Sequence, residues 1–505
     1  MAIAKRRWRL PVLLLVGFVG GCSVTPIKIT QEEYKERLDL DLAAMFVDQE
    51  PIDGSLSLYE AIARAIKYNL DHRLKLMEDA LNRGQLEVAR YDMLPELVAD
   101  AGYHWRNNES GASSKSLESG GVESPGATTS EERIHNTANL TTVWNVLDFG
   151  VSYVHAQQQA DYVLIVNERR RKVVHNIVQD VRYAYWRAVS AERLLPRMDA
   201  LLQTAYAALN RAKQMEQLQL KPPMETLNYQ KGLLEIIGKM WQLRESLATA
   251  KTELSALIDL EPGTEYTLED AAPGEVLPPP VSLSLDELEQ VALNNRPELI
   301  EEHYQARIGA LEVKKAMLKM LPGLEFSLGG YADSNKYLYN DAWMTAGAGI
   351  TWNIFKLFSG PAEMELAEAR QSVNDLRRLS LGMAILTQVH LAHQRFSIAR
   401  KNFEVTRDLM AVEMRLQKLH KARQQAETGN ELESIRSEAG VLAVEMQRDL
   451  GYAELQNAYG QIYTSLGIDP LQDGKEEGDV KTLAAAIEAR FGGNDLAAAT
   501  SQAIN

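Results

Sequence analysis

Ser55-Leu56-Ser57-Leu58 returns later in the chain as Ser282-Leu283-Ser284-Leu285, and each copy opens the same series of marks. A short amphipathic helix pattern ends at Asn69-Leu70-Asp71 in one copy and at Arg296-Pro297-Glu298 in the other. A second helical stretch leads to a Leu-Pro step, Leu94-Pro95 and Leu321-Pro322. Next comes an alternating strand pair, marked by Trp144-Asn145-Val146 or Trp352-Asn353-Ile354, and each copy closes on a very long helical hairpin. The two openings lie far beyond the period of roughly 20–50 residues expected of a solenoid. The chain is therefore read as an internal duplication of a whole unit that mixes strands with long helices.

Composition bounds the rest. At 505 residues, 45% apolar and 24% charged, the chain is long enough for two or three ordinary domains and is not a disordered sequence. The net charge is −15, and the only cationic cluster near the start is Lys5, Arg6, Arg7 and Arg9. This argues against nucleic acid and against a polybasic membrane clamp. The single cysteine, Cys22, follows that basic segment, an apolar run over 10–19 and Gly20-Gly21. The run is too short to span a bilayer and has the layout of a secretory signal. Val19-Gly20-Gly21-Cys22 resembles a bacterial lipoprotein box, with Cys22 the lipidated first residue of the mature chain. Ser23 after it resembles the outer-membrane sorting pattern.

No later segment is apolar enough for a transmembrane helix, so any bilayer crossing must be made by strands in a closed barrel. Four stretches alternate as such strands do. Leu97, Ala99, Ala101, Tyr103 and Trp105 alternate with Val98, Asp100, Gly102, His104 and Arg106. Ala138, Leu140, Thr142, Trp144 and Val146 alternate with more polar residues, as do Leu324, Phe326 and Leu328, and Met344, Ala346, Ala348, Ile350 and Trp352. One face apolar and one polar or small suits a wall between lipid and water. It also suits a soluble sheet with one face on a core, and period alone does not separate the two. The Ser- and Gly-rich segment 107–133 reads as a long surface loop between the first two strands.

The helical runs, 151–220 and 361–428, would each reach roughly 100 Å at 1.5 Å per residue. The first is expected to be interrupted at Pro196. Leu202, Ala205, Leu209 and Ala212, then Leu409, Val412, Leu416 and Leu419, and then Ile435, Ala439, Leu442 and Met446 follow coiled-coil spacing. The hairpin tips are Lys221-Pro222-Pro223 and, in the second copy, Thr428-Gly429-Asn430. Four strands cannot close a membrane barrel, since about eight is the smallest known. The chain must then associate: two copies give eight strands and three give twelve.

Taken in this order, the marks resemble the TolC-like outer-membrane efflux proteins, in their lipoprotein branch. They are the duplicated opening helices, Leu94-Pro95, Leu321-Pro322, Trp352-Asn353 before Gly360, and the closing segment from Tyr459 to Pro470. The resemblance implies a mixed α/β membrane protein: four transmembrane strands per chain in a trimeric twelve-stranded barrel, continued by an antiparallel coiled-coil helical barrel. It implies an outer-membrane duct of a tripartite efflux system, without catalysis or cofactor. The partners would be a periplasmic adaptor and an inner-membrane transporter. It also implies a narrow periplasmic aperture lined just after the second turn. Glu433 matches the first acidic position there, Arg436 stands where a second acid is often found, and Glu225 is the counterpart in the first copy. Lys221, Pro222, Pro223, Thr428, Gly429 and Asn430 would meet the adaptor. The exit channel of a type I protein-secretion system and a non-pore coiled-coil lipoprotein are the other readings.

The sequence carries no phosphate-binding glycine loop, no metal-spaced cysteine set and no nucleophile elbow. His390 and His393 read as ordinary helix histidines. The organisation expected is a signal peptide over 1–21 and an extended segment over 22–54. A first repeat over 55–281 carries strands at about 96–106 and 134–148 and a hairpin at about 151–260. A second repeat over 282–470 carries strands at about 323–333 and 342–355 and a hairpin at about 360–467. The tail, 471–505, is expected to dock weakly or fray.

Overall fold

A computed structural model describes residues 27–47, 49–113, 115–121, 126–269, 277–425, 431–471 and 478–492. The signal segment, Cys22, Thr428, Gly429 and Asn430 lie outside the described residues. The chain divides into two compact units, 1–51 and 52–505. In the first, the segment expected to be extended holds a helix instead, α1 (Gln31–Met45). The cause is local. Thr30 and Glu33 form a reciprocal capping box, with Glu33 N donating to Thr30 Oγ1 and Thr30 N to Glu33 Oε2.

The second unit runs β1 (Ser55–Leu56), α2 (Leu58–Tyr68), α3 (Leu70–Tyr91), β2 (Glu96–Trp105), β3 (Ile134–Asn145), α4 (Val146–Gln217), α5 (Pro223–Ala248) and α6 (Ala250–Leu257). It continues β4 (Thr267–Leu268), α7 (Leu285–Asn295), α8 (Pro297–Leu318), β5 (Gly323–Asp333), β6 (Ala342–Thr351), α9 (Lys356–Gln425), α10 (Glu431–Leu466) and α11 (Val480–Phe491). The repeated Ser-Leu-Ser-Leu text is a helix start. Ser57 accepts from Glu60 N, and Ser284 accepts from Glu287 N. The repeated Trp-Asn is a strand-to-helix switch. Asn145 Oδ1 accepts from Leu147 N at 2.9 Å and Asn353 Oδ1 from Phe355 N at 3.1 Å. These caps end the strands earlier, and start the helices earlier, than alternation alone suggests.

The other repeated mark joins helices end to end. Asn69 caps α3 and donates to Leu257 O at the end of α6. Arg296 precedes α8 and donates to Thr464 O near the end of α10. After α10 the chain turns at Gly467, whose φ is +71°. A side chain there would begin 2.5 Å from Asn295 O, so this joint requires glycine.

α4 and α9 are 72 and 70 residues long. Contrary to expectation, α4 runs unbroken through Pro196. A proline inside a helix costs about 3 kcal/mol, but Leu194, Met198, Leu201 and Leu202 around it are buried against α5 and α10, and that packing outweighs it. A second, larger core lies where α2, α7 and α11 pack beside the middle of α4, α9 and the end of α10. The tail is likewise better held than expected. α11 buries Val480, Leu483, Ile487 and Phe491, with the Phe491 ring edge-on to Tyr463 at 4.7 Å. Four strands form one antiparallel sheet in the order β2-β3-β5-β6. β1 and β4 form a separate short parallel pair.

Candidate functional site

The sheet's register sorts its side chains into two unlike faces. On one, Leu97, Leu140, Trp144, Leu324, Phe326, Leu328, Met344 and Ile350 share a surface across all four strands. No core covers it: Leu97 is 68% and Ile350 76% exposed. On the other face stand Gly, Ser, Thr, Asn and all the strand carboxylates, Glu96, Asp100, Glu325 and Asp333. The four strands hold no Lys or Arg. The outer strands, β2 and β6, each leave one edge unpaired among the described residues.

The helices show the same condition. Near the hairpin tips they lie in the order α5-α4-α10-α9, and nearer the sheet in the order α3-α4-α8-α9. The inner seams are filled. Leu202, Ala205, Leu209 and Ala212 of α4 and Ile435, Ala439, Leu442 and Met446 of α10 are buried. The seam expected from Leu409, Val412, Leu416 and Leu419 is exposed instead. It belongs to an edge helix, and α9 carries Leu391, Ile398, Val405, Val412 and Leu419 at every seventh position, all exposed. The opposite edge matches it with Leu227, Leu234 and Trp241 on α5 and with Leu70, Leu74, Met77 and Leu81 on α3, also exposed. A heptad of bare apolar residues is a seam awaiting another helix.

At the first tip Lys221, Pro222 and Pro223 are exposed and Pro223 begins α5. Glu225 pairs with Lys221 at 2.7 Å across the turn, and both side chains are exposed. Glu433 is exposed. Arg436 lies against α5: a side chain added at Gly232 would come within 3.2 Å of its guanidinium. Glu431, which sequence spacing does not single out, does more than either. Its carboxylate accepts from Arg211 of α4 and from the Tyr229 hydroxyl of α5, the latter at 3.1 Å. Burial, and then the adjacent carboxylate, push the Tyr229 hydroxyl up to about 12, so it stays a donor. No short-range pattern links residues 211, 229 and 431; only the fold does.

Between the tips and the sheet, the α4–α10 seam holds a buried ionic cluster. Glu445 and Asp449 face Arg193, and Glu445 also pairs with Arg197 at 2.5 Å. Nearer the α8–α10 joint, Asp469 takes His175 Nε2 at 2.7 Å and the Arg171 guanidinium at 3.0 Å. Among the described residues no helix is long and apolar enough to cross a membrane, and no cluster of three His, Cys, Asp or Glu is placed to hold a metal.

Neither a protein-family model nor any curated protein matches this sequence. Solved structures do match. The chain aligns with the Campylobacter jejuni CmeC outer membrane channel at TM-score 0.61 and 12% identity, over 89% of this chain and 95% of that one. It aligns with CusC, whose structures concern folding and transmembrane channel formation, at TM-score 0.59 and 17% identity, over 84% and 96%. It aligns with the open Neisseria gonorrhoeae MtrE outer membrane channel at TM-score 0.55 and 17% identity, over 80% and 88%. The fold is that of the TolC-like outer-membrane channels. These neighbours are channels and not enzymes. In the TolC-like fold of this chain, long helices and a four-stranded sheet account for most of the regular structure among the described residues.

Proposed function

We propose that this protein is the outer-membrane channel of a tripartite efflux system, a passive homotrimeric duct for small molecules. The observation that carries the reading is the sheet with an uncovered apolar face, a carboxylate-lined polar face and two open edges. Burying that apolar face in lipid and joining edge β6 of one copy to edge β2 of the next answers both needs at once. The bare heptads on α9, and on α3 and α5, close the helical layer in the same head-to-tail sense, which is the geometry of a ring. Three copies give twelve strands, the number the family resemblance implies. A non-pore coiled-coil lipoprotein has no use for such a sheet.

In this reading Cys22 carries the lipid that anchors the mature chain to the outer membrane of a Gram-negative cell. The hairpin tips, Lys221, Pro222, Pro223, Thr428, Gly429 and Asn430, face a periplasmic adaptor that connects to an inner-membrane transporter. Glu433, Arg436 and Glu225 surround the aperture. The test is native mass spectrometry of the detergent-extracted protein together with bilayer conductance. A lipidated trimer that conducts ions is expected. A stable monomer with full strand content, or a trimer that never conducts, would overturn the proposal.

A further inference from the structure

Backbone register brings four residues far apart in sequence into one row on the polar face of the sheet. Asp100 stands opposite Asn139, Asn139 opposite Tyr331, and Tyr331 opposite Trp343. The row crosses all four strands at right angles to them, and at about 4.8 Å per strand it is about 15 Å wide. Its composition sets it apart. Tyr331 and Trp343 are the only Phe, Tyr or Trp that alternation puts on the polar face of the described strands. Their rings are parallel within 9°, with centroids 5.7 Å apart. Glycine makes the room: a Cβ at Gly329 would come 2.8 Å from the Tyr331 ring. With its amide turned to donate, Asn139 lies 3.1 Å from the Asp100 carboxylate, which holds that charge two strands, about 10 Å, from the Tyr331 position on the same face. Trp343 remains 41% exposed, so the pair is not consumed by packing within the chain.

We infer that this row is a binding subsite in the channel wall for planar aromatic cations. The inference rests on the channel reading above. Paired ring faces offer a flat cation both stacking surface and a negative quadrupole. Asp100, on a face with four carboxylates and no strand Lys or Arg, supplies the opposite charge. Closing the sheet into a ring brings β6, which carries Trp343, beside β2 of the next copy, which carries Asp100. Each copy then adds its row to a staggered belt of aromatic and carboxylate groups. Solutes crossing the barrel pass that belt, and flat cations dwell there longer than others of equal charge.

The experiment uses the full-length protein in planar bilayers. Reversal potential in a salt gradient reads charge preference. Block of the current is then titrated with N-methylacridinium and, separately, with tetrabutylammonium. The wild type should prefer cations and be blocked by the acridinium at a concentration about tenfold lower than by tetrabutylammonium. Trp343→Ala and Tyr331→Ala should each weaken acridinium block about tenfold and leave tetrabutylammonium unchanged. Trp343→Phe should restore part of the loss and also serves if the alanine variant fails to assemble. Asp100→Asn should weaken block by both cations and reduce the cation preference. Equal block by the two probes, or ring substitutions that change assembly but not block, would show the pair to be structural and overturn the inference. A protein that conducts without aromatic preference defeats the belt alone; one that never conducts defeats the channel reading and the belt with it.

Discussion

Glu431 is the first residue of α10, and its carboxylate ties the tips of three helices. If the chain is the proposed duct, widening its tip would break or remake that tie. Its strength can be bounded. Arg211 and Glu431 are 54% and 44% exposed, so solvent screening leaves their ion pair about 0.5 kcal/mol. The Tyr229 hydroxyl is less exposed and donates to a charged group, which contributes about 1 kcal/mol after the same discount. In the proposed trimer each chain's tie would contribute about 1.5 kcal/mol, and three chains moving together about 4–5 kcal/mol, roughly three decades in the ratio of closed to open tips. Tyr229→Phe removes about 1 kcal/mol per chain, so a trimer should open about a hundredfold more often. Arg211→Ala should give about tenfold. Single-channel recording reads both directly. Glu235→Gln, which loses only an exposed pair with Lys231 at 3.9 Å, is the control. If Tyr229→Phe opens the channel no more than Glu235→Gln does, the tie does not govern the tip.

Other expectations come from the joints and edges. Gly467→Ala meets both a left-handed backbone and the fixed Asn295 carbonyl, and should cost about 3 kcal/mol or more, read as a lowered unfolding midpoint. The equivalent turn residue of the first copy, Asp259, also has positive φ; Asp259→Gly relieves that backbone but gives up the carboxylate's attraction to Arg73, and should cost less than Gly467→Ala by the same assay. Burial alone would raise the Asp469 carboxyl, but the His175 hydrogen bond and the Arg171 guanidinium outweigh it and hold it below its ordinary 3.8. Because the folded value is the lower one, this stabilisation is present above about pH 4 and is lost as pH falls through the folded value. Asp469→Asn should therefore flatten the acid limb of a pH–stability curve. Val405→Glu with Val412→Glu puts charges on the exposed α9 seam. It should leave helix content unchanged by circular dichroism yet abolish the trimer on native gels; a persisting trimer would place the subunit contact elsewhere.

Much of this architecture is written locally and twice. Ser57 and Ser284 start helices, Asn145 and Asn353 end strands, and alternation in β2, β3, β5 and β6 names the faces before any pairing is known. What the sequence hides is whatever depends on neighbours. Pro196 reads as a break because propensity is local, whereas the burial of Leu194 and Met198 that overrides it comes from α5 and α10. The seam at Leu409, Val412, Leu416 and Leu419 is visible as a period, but only the fold shows that the described residues leave it exposed. Glu433 and Arg436 can be placed near a tip from spacing, while helix rotation decides that Arg436 turns to Gly232 and Glu431 to Tyr229. The tail's apolar positions, Val480, Leu483, Ile487 and Phe491, are regularly spaced and could have revealed α11, but a charged lead-in and an Ala-rich end obscured them.

The placement of charge along the α4–α10 seam limits where the duct can move. Asp449 is fully buried, and burial pushes its carboxyl up even though the Arg448 and Arg193 guanidinium groups oppose this. Removing one partner from a buried ionic group typically costs about 3–5 kcal/mol, because the remaining charge is stranded. Sliding α10 along α4 by one turn would take Glu445 off Arg197 and Asp449 off Arg193, leaving both carboxylates only Arg448 of their own helix. The apolar heptads at the outer edges carry no such penalty, since an apolar knob can exchange one hole for the next. Losing the α4 partners disfavours such a slide, so movement at the tip is expected mainly in the part beyond Arg197 and Glu445. From Arg197 to Gln217 that is about 30 Å of helix at 1.5 Å per residue. Spin labels replacing the exposed Asp180 and Glu454, on the sheet side of the cluster, should keep one distance distribution in the wild type and in Tyr229→Phe. Labels replacing Lys213 and Glu438, both exposed on the tip side, should broaden in the variant. A change at the first pair as large as at the second would mean that the whole seam shears and that the buried cluster does not hold it.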